Sequence, residues 1–503
     1  MSNLAQILSD TAAKHGDRTA LKLDDTVIDY ATLLDGAQRA SAMLKSKGIG
    51  PGDRVGLVLP NVPHYGVLFY GAAMAGATVV PMNPLLKSRE VHYFLEDSQA
   101  SLVFAWHEMA DEAGKAASDY GIECVSVEAE GFMGLLAQHE PDSEVVDRAD
   151  DDTLVLLYTS GTTGQPKGAE LTHANMTTNA ITSAETLAEL TPDDVILGCL
   201  PLFHCFGLTC GLNAAVYVGA SMTMLPRFDG GKALEMIGRD GVTVFEGVPT
   251  MYQGMLHAPD AESYDVASLR TCMSGGSAMP VEVMKQFEDA FGCTVLEGYG
   301  LSETSPVATF NFPNGERKPG SIGTPIRGVE VKLLDDDGNE VAQGERGEIA
   351  IKGENVMKGY WGRPEQTEES MTDGWFRTGD VAEKDEDGFL FIVDRKKDMI
   401  IRGGYNVYPR EVEEVLYEHP AIAECAVIGI PDDEMGEEVG AAVVLKEGKS
   451  ATVEELQQHA KDGVAAYKYP RAVWIVDGEL PKGPTGKILK REIDAPEDAR
   501  VKA

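Results

Sequence analysis

The sequence predicts an α/β fold followed by a smaller α+β module, and three patterns support this prediction. Up to about residue 320, short runs rich in β-branched residues alternate with longer helical patterns, as in 54–59 and 65–80. This alternation is typical of a sheet covered by helices on both faces. After residue 320, short strands follow one another through Gly/Asp turns, and beyond residue 398 helical and strand patterns alternate again.

The large N-terminal part is expected to contain βαβ subdomains and, after residue 320, an antiparallel β subdomain. Its predicted strands are 54–59, 78–81, 153–158, 195–200, 242–245, 294–296, 329–334, 347–351 and 388–392. The C-terminal module is predicted to have a helix from about Pro409, strands over 426–430 and 441–445, and a helix over 452–465. The charged run 394–398 separates the two parts, so we place the domain boundary there.

The composition is that of a globular protein with an acidic surface. The chain has 503 residues, a hydrophobic fraction of 43% and a net charge of -38, spread with similar density before and after residue 397. Such a surface argues against nonspecific nucleic-acid binding, which needs a basic face. Seven scattered cysteines without a CxxC pair, and an N-terminus without a basic and apolar leader, predict reduced thiols and a cytoplasmic location.

One uncharged stretch, residues 195–226, is long enough to span a bilayer. It contains Pro201, His204 and Asn213 together with four glycines. Residues of this kind interrupt a membrane helix, whose backbone groups must be satisfied within the segment. We therefore predict a buried strand, loop and helix here and no stable membrane insertion.

A loop rich in glycine and hydroxyl residues follows the apolar strand 154–157. It runs Tyr158-Thr159-Ser160-Gly161-Thr162-Thr163-Gly164-Gln165-Pro166-Lys167-Gly168. Hydroxyl donors, glycines that let the backbone approach closely and one lysine suit the binding of anionic oxygens. The spacing is not that of a Walker A loop.

This loop resembles the phosphate-binding loop of the adenylate-forming enzymes, the family of acyl-CoA synthetases, luciferases and nonribosomal adenylation domains. The resemblance continues in order along about residues 10–490. The other motifs that carry it are Gly275-Gly276-Ser277-Ala278, the YGxTE-like run Glu297-Gly298-Tyr299-Gly300-Leu301-Ser302-Glu303-Thr304, Thr378-Gly379-Asp380, the hinge-like Asp394-Arg395-Lys396-Lys397, Gly403-Gly404-Tyr405-Asn406 and Pro484-Thr485-Gly486-Lys487. The resemblance implies a reaction in two steps. A carboxylate first attacks the α-phosphorus of ATP, giving an acyl-adenylate and pyrophosphate, and a thiol then takes up the acyl group.

The resemblance implies an ATP site built from these motifs. The implied ATP-binding residues are Thr159, Ser160, Gly161, Thr162, Thr163, Gly164, Lys167, Gly276, Ser277, Ala278, Glu297, Gly298, Tyr299, Ser302, Asp380 and Arg395. Glu303 would hold Mg²⁺. Ser302, where most members have threonine, would donate to the α-phosphate, and Tyr299 would stack beside adenine. Asp380 and Arg395 would bond the ribose hydroxyls, which suits a two-oxygen acceptor and a fixed donor fork.

Three further residues are implied to act in catalysis. Lys487 would reach the carboxylate and the α-phosphate in the first step only. Lys397 would change its backbone torsions, so that a small mobile C-terminal domain, 398–503, swings about a hinge at 395–397 relative to an N-terminal domain, 1–394. His204 would form a gate between the ATP and acyl sites. The residues implied to line the path of CoA are Gly403, Gly404 and Tyr405.

The acyl group is expected to bind among small and apolar residues. Those implied are Phe206, Gly207, Val248, Tyr252, Gly275, Gly300, Pro306 and Val307. The absence of a fixed cation from these stretches disfavours a second carboxylate on the substrate, and malonyl-activating relatives carry an arginine where this chain has Gly298. The resemblance therefore implies a carboxylic acid:CoA ligase for a hydrophobic monocarboxylate, with a medium- or long-chain fatty acid favoured over an aromatic acid such as a cinnamate.

Other readings of the same motifs stay open at this point. The adenylate could be loaded onto a carrier-protein thiol in place of free CoA. A nucleotide-binding regulatory protein of the same fold is the non-enzymatic alternative, and the presence of Lys487, Glu303 and Lys397 weighs against it. A homodimer is compatible with the sequence, which does not decide the oligomeric state.

Overall fold

The computed structural model describes residues 3–159, 165–395, 398–432 and 435–496, with only the backbone described for Asp394 and Arg395. Within these ranges the chain forms four sheets. Three belong to the part before residue 396 and one to the part after it. The α/β class with an α+β C-terminal module is confirmed.

The first sheet has six strands and covers the beginning of the chain. In spatial order they are Glu123–Val127, Leu102–Trp106, Arg54–Val58, Thr78–Pro81, Thr153–Thr159 and Lys167–Thr172. Neighbouring strands are parallel except for the final pair. The accompanying helices are Tyr30–Ser46, Pro63–Met74, Ser88–Ser98, Ala110–Ser118 and Phe132–Leu136. Since Pro63–Met74 is buried along nearly all its length, its sequence is almost continuously apolar.

The second sheet has nine strands. In spatial order they are Thr324–Pro325, Val307–Phe310, Thr294–Gly300, Thr271–Ser274, Val244–Gly247, Val195–Gly198, Ser221–Met224, Thr19–Leu23 and Thr26–Asp29. The central strands are parallel and the edges antiparallel. The helices around it are Gln6–His15, His173–Thr182, Ala214–Val218, Gly230–Asp240, Pro249–Leu256 and Val281–Phe291, with π-helical turns at Ser183–Leu187 and Phe206–Asn213. One apolar core runs through both sheets.

The third sheet is antiparallel, as the closely spaced strand patterns after residue 320 predict. Its strands are Val329–Leu334, Gly347–Gly353, Met371–Thr372, Trp375–Lys384 and Leu390–Arg395, and the helix Pro364–Ser370 lies between two of them. Hairpin register pairs Val331 with Ile351 and Asp380 with Arg395. This sheet therefore brings the segment 376–380 beside the end of the strand Thr294–Gly300.

The fourth sheet belongs to the C-terminal module. Its strands are Tyr405–Val407, Ile400–Arg402, Gly436–Leu445, Ile422–Asp432 and Ala472–Ile475, with helices Pro409–Tyr417 and Val453–Gly463. The module has its own apolar core, in which Val412 and Leu456 from the two helices meet Val427 and Val443 from the long hairpin. The predicted helices and strands are present, and both hairpin strands extend beyond the predicted ranges. Short 3₁₀ turns occur at His107–Met109, Ala261–Ser263, Ser302–Thr304 and Lys490–Glu492.

The uncharged stretch 195–226 folds as predicted, into buried strands with a loop and helical turns between them. Among the described residues, no helix combines the length and apolar character needed to cross a membrane. All seven cysteines have free thiols, six of them buried. Cys272 and Cys293 lie with their sulfur atoms 3.4 Å apart in the core.

Hydrogen bonds connect the C-terminal module to the large part of the chain. Thr250 donates through Oγ1 to the carbonyl oxygen of Gly486 at 2.9 Å, and Gln253 donates through Nε2 to that of Ala423 at 2.7 Å. In the opposite direction, Arg410 of the C-terminal module donates to the carbonyl oxygen of Ile392 in the large part of the chain at 3.2 Å. These bonds place the loop 483–487 over the second sheet.

Candidate active site

A cavity of about 680 Å³ lies at the carboxyl ends of the parallel strands, where open α/β sheets bind their ligands. The strands Thr153–Thr159, Val195–Gly198, Thr271–Ser274 and Thr294–Gly300 all end at or just before it. The segment 376–380 and the loop 483–491 close two of its sides. Three different sheets and the C-terminal loop thus meet at one place.

Glu303 is positioned at this cavity by two hydroxyl groups. Its Oε1 accepts a hydrogen bond from the hydroxyl of Tyr360 at 2.8 Å and a longer one from Oγ1 of Thr159 at 3.4 Å. Burial, followed by the charge of Glu303, raises the pKa of Tyr360 well above its ordinary value, so this phenol stays a donor. The Nζ of Lys167 lies 5.1 Å from the centre of the same ring. A carboxylate, a hydroxyl and a cation therefore share one wall.

The donor set at Glu303 fits a magnesium ion. Among the residues that the structure describes, no three His, Cys, Asp or Glu side chains gather as a metal cluster. Mg²⁺ at a nucleotide site usually takes one or two carboxylates, several waters and the phosphates themselves. One carboxylate, oriented by Tyr360 and facing a cavity with a nearby lysine, meets that requirement.

Tyr299 and Asp380 form a second polar pair in the cavity. The tyrosine hydroxyl donates to Oδ2 of Asp380 at 2.6 Å. The backbone amide of Asp380 in turn donates to Oγ1 of Thr378 at 3.1 Å, and Oγ1 of Thr378 donates to the carbonyl of Ile349 at 2.9 Å. Each member is thus oriented by the next, and the strand that carries the carboxylate is itself paired on both sides.

Lys487 enters the cavity on a tight loop of the C-terminal module. The amide of Gly483 donates to the carbonyl of Lys487 at 2.7 Å, and that of Gly486 donates to the carbonyl of Gly483 at 2.9 Å. Gly486 has a φ of +80°, and a Cβ there would lie 2.9 Å from Oγ1 of Thr250. Only glycine suits both the turn and the contact, so this position sets how closely Lys487 approaches the large part of the chain.

His204 lines the cavity as a neutral imidazole. Burial, and then the positive charge of Lys487, lower the pKa of His204 to about 4. The backbone amide of Phe206 donates to Nδ1 at 3.3 Å, which leaves the ring proton on Nε2. The side chain is therefore a hydrogen-bond donor near neutral pH and adds no charge.

The structure brings most of the predicted site residues to this cavity. Those that line it are Thr159, Lys167, His204, Phe206, Val248, Gly275, Gly276, Gly298, Tyr299, Gly300, Ser302, Glu303, Pro306, Val307, Asp380 and Lys487. Ser160, Gly161, Thr162, Thr163, Gly164 and Lys397 lie outside the described residues, as does the side chain of Arg395. Met273 and Phe310 complete the apolar part of the lining.

Several predicted site residues do not line the cavity. Gly207 is buried against the carbonyls of Leu200 and Pro201, and Tyr252 packs against the rings of Phe245 and Phe287 on the other side of the strand Val244–Gly247. A glycine and a tyrosine near an apolar site are equally suited to packing behind it, and the acyl-binding role of these two residues stays a prediction. Ser277, Ala278, Gly403, Gly404 and Tyr405 are also absent from the lining.

Glu297 is a buried carboxyl beneath the predicted adenine region and does not itself line the cavity. Its Oε1 accepts from the amide of Met279 at 2.9 Å and lies 4.0 Å from the Arg410 guanidinium of the C-terminal module. Burial raises the pKa of Glu297 to about 7, against the opposing effect of Arg410. This residue thus links the strand Thr294–Gly300 to the module through a group that is partly protonated near neutral pH.

Sequence reasoning missed some residues that shape the site. Tyr360, which holds Glu303, lies in the segment Tyr360-Trp361-Gly362, where no pattern distinguishes it from a turn. Arg377 lines the cavity one residue before Thr378 and could have been found from its position next to that motif. Glu246 also has no distinguishing signal, because it stands directly after the predicted strand 242–245, in the mostly apolar run 242–248.

Known proteins share both the sequence and the shape of this chain. The family model of AMP-binding enzymes matches residues 8–361, and that of the AMP-binding enzyme C-terminal domain matches residues 411–487. A long-chain-fatty-acid–CoA ligase of Bacillus subtilis (strain 168) is 39% identical over 525 residues, covering 97% of this chain and 94% of the relative. A feruloyl-CoA synthase of an Amycolatopsis species is 39% identical over 476 residues, covering 94% and 95%.

A solved structure shows the same arrangement. The anthranilate CoA ligase AuaEII in complex with anthranoyl-AMP superposes with a TM-score of 0.92 at 31% identity, covering 97% of this chain and 96% of that one. The family models, the curated relatives and this neighbour all extend across both parts of the molecule. The chain therefore belongs to the AMP-binding enzyme family.

Proposed function

We propose that this protein is an ATP-dependent ligase that joins a hydrophobic monocarboxylic acid to CoA through an acyl-adenylate. The observation that carries the proposal is the cavity in which Lys487 of the C-terminal module faces Glu303 and the Tyr299–Asp380 pair, next to an apolar wall. The relatives named for fatty acyl and feruloyl substrates support the same reaction class.

In the first step a carboxylate oxygen attacks the α-phosphorus of ATP. The new bond joins that oxygen to phosphorus, the bond to the bridging oxygen breaks, and pyrophosphate leaves. Because both reactants are anions, the step needs cations and donors held in place beforehand. We assign these roles to Lys487, Lys167 and Ser302, which all line the cavity. Glu303 would hold Mg²⁺, which supplies positive charge at the phosphates.

The nucleoside is assigned to the wall formed by the second and third sheets. Tyr299 would stack beside adenine, and Asp380, oriented by the tyrosine hydroxyl at 2.6 Å, would accept from the ribose hydroxyls. His204 would separate the phosphate part from the acyl part of the cavity. As a neutral donor it can bond to a developing negative oxygen without attracting the substrate carboxylate into the wrong place.

In the second step a thiol attacks the acyl carbonyl and AMP leaves. Lys487 lines the cavity and would lie beside the adenylate, whereas Tyr405 is 61% exposed and stacks on Tyr467 at 4.9 Å on the module's own surface. We propose that the domain 398–503 turns about a hinge at 395–397 relative to the domain 1–394. This turn would withdraw Lys487 and bring the Gly403–Gly404–Tyr405 loop to the path of CoA.

The acid is proposed to be a hydrophobic monocarboxylate. A Cβ added at Gly298 would lie 2.3 Å from a ring carbon of Phe310, so an arginine that could pair with a second carboxylate has no room there. The apolar lining suits a medium- or long-chain fatty acid, and the similarity to a feruloyl-CoA synthase supports an aromatic acid as the second candidate. The even acidic charge and the free thiols support a cytoplasmic location.

The proposal is tested with purified protein, ATP, Mg²⁺ and a panel of fatty and aromatic acids, with and without CoA. Release of pyrophosphate and AMP that depends on both the acid and CoA, together with a thioester product, is expected. Pyrophosphate release without a CoA thioester would point to a carrier-protein acceptor. If no acid in the panel produces pyrophosphate, the ligase proposal is wrong.

A further inference from the structure

Glu246 is a fully buried carboxylic acid next to the apolar part of the cavity. It lies on the strand Val244–Gly247 and is only 2% exposed. Its Oε1 has no hydrogen-bond partner among the described residues, and no ion pair to this side chain occurs within the same ranges. A buried polar group without a partner destabilises the folded state, so its presence in the core needs a reason.

The position of Glu246 relative to the cavity follows from strand register. The parallel strands pair Glu246 with Met273, so the two side chains emerge on the same face of the sheet, about 4.8 Å apart at the backbone. Met273 lines the cavity. Glu246 therefore lies one strand further into the sheet than Met273 and on the same face, behind the residues that line the cavity.

The other side of this place is formed by the helical turns Phe206–Asn213. A Cβ at Gly211 would lie 3.2 Å from Oε2 of Glu246, so the carboxyl group rests directly against that backbone. Phe206, at the start of the same turns, lines the cavity. The Glu246 carboxyl thus lies between the elements that carry Met273 and Phe206, two residues of the lining, and is separated from the cavity by the lining itself.

We propose that Glu246 is a specificity residue of the acyl site and hydrogen-bonds a hydroxyl group carried at the far end of the acid substrate. The inference rests on the proposed ligase function and narrows its substrate to hydroxylated acids, either phenolic or ω-hydroxy aliphatic. A hydroxyl would give Oε1 the partner that the protein does not supply. An apolar ring or a methyl end would leave it unpartnered.

The protonation state suits this role. Burial raises the pKa of the Glu246 carboxyl to about 8, so near pH 7 it is mainly neutral and can both donate to and accept from a hydroxyl. A neutral acid avoids the cost of a buried charge. Neither protonation state carries a positive charge that would attract the substrate carboxylate away from Lys487.

The experiment compares two pairs of acids that differ only by the distal hydroxyl, cinnamate with 4-hydroxycinnamate and dodecanoate with 12-hydroxydodecanoate. For each, kcat/KM is measured by pyrophosphate release in the wild type, Glu246→Gln and Glu246→Met. We expect the wild type to prefer the hydroxylated member of one pair by about ten-fold or more. Glu246→Gln should keep part of that preference and Glu246→Met should abolish it. The pair in which the preference occurs identifies the source of the hydroxyl.

A structural role for Glu246 predicts a different result. If the carboxyl group served packing alone, Glu246→Met would lower the thermal midpoint and would change both members of each pair alike. We expect the thermal midpoint of Glu246→Met to equal or exceed that of the wild type, since an unpartnered buried acid is replaced by an apolar side chain of similar size. Met273→Leu is the matched control, because it reshapes the same wall without changing polarity and should leave the preference intact.

The outcomes separate this inference from the ligase proposal. Wild-type activity toward these acids with a preference that is unchanged in Glu246→Met would overturn the role of Glu246 and leave the ligase function standing. A wild type that favours the unhydroxylated member of both pairs would do the same. The absence of pyrophosphate release with every acid would instead remove the ligase function, and with it the inference.

Discussion

Replacing Lys487 with alanine should separate the two half-reactions. The side chain reaches the cavity from the loop 483–487, which Thr250 holds through the carbonyl of Gly486. The substitution removes one positive charge and leaves the backbone bonds of that loop in place. Adenylation should therefore lose one of its cations and slow down, whereas a step that takes place with Lys487 withdrawn should keep its rate.

The size of the loss follows from the surroundings of the side chain. Two unit charges about 4 Å apart interact by about 4 kcal/mol at an effective dielectric constant near 20, which corresponds to a factor of about 10³ in rate. Loss of one positioned donor to a developing oxyanion costs a similar 10² to 10³. His204 cannot take over, because burial is the main cause of its low pKa and persists without Lys487.

The assay measures each half-reaction separately. Adenylation is followed by acid-dependent exchange of labelled pyrophosphate into ATP, and thioester formation by the reaction of synthetic acyl-adenylate with CoA. Lys449→Ala, an exposed lysine of the same module, makes the same change in net charge and should alter neither rate more than about two-fold. Equal losses of both half-reactions in Lys487→Ala would refute the assignment.

Three further predictions test other contacts of the site. Gly486→Ala forces a Cβ to 2.9 Å from Oγ1 of Thr250 at a positive φ, so adenylation should fall by about ten-fold or more while thioester formation from synthetic adenylate changes less; equal rates in both assays would contradict the close-approach argument. Tyr360→Phe removes the 2.8 Å hydrogen bond to Glu303 and should raise the Mg²⁺ concentration for half-maximal adenylation by about 10-fold. An unchanged magnesium dependence would show that the phenol does not orient the carboxylate. Burial raises the pKa of Glu246 from 4.5 to about 8, so in this pH range the folded state holds a proton that the unfolded state releases. The free energy of unfolding should therefore fall as the pH rises from about 4.5 to 8, by about 1.4 kcal/mol for each unit of difference between the two pKa values. Glu246→Gln should flatten this part of the plot of thermal midpoint against pH relative to the wild type.

The α/β body and the place of the site could be predicted from the sequence because the deciding residues stand in contiguous motifs. One strand and the turn after it carry Tyr299, Ser302 and Glu303. Another single strand carries Thr378 and Asp380. Such motifs keep their spacing whatever surrounds them. The hydrogen bond between Tyr299 and Asp380, 81 residues apart, then follows from the meeting of two sheets, which no local pattern contains.

The sequence could not predict the residues whose role depends on which face of an element they occupy. Glu246 sits among apolar residues, and only the register with Met273 shows which face of the sheet carries its carboxyl group. For Tyr252 the sequence predicts a place in the acyl site, whereas the helix that carries it turns the ring toward Phe245 and Phe287. A one-residue shift along a strand exchanges such positions, and the apolar pattern of these buried segments is too continuous to fix the choice.

The hydrogen bonds from Thr250 and Gln253 to the C-terminal module end on main-chain carbonyl oxygens, those of Gly486 and Ala423. No side-chain substitution in the module removes these acceptors, so the donor side chains of the large part of the chain alone determine this part of the docking. The amino-acid sequence of the module can therefore change without altering how the module is oriented on the large part of the chain. The C-terminal module of a related enzyme should dock in the same orientation if its backbone carbonyl groups lie where those of Gly486 and Ala423 lie here.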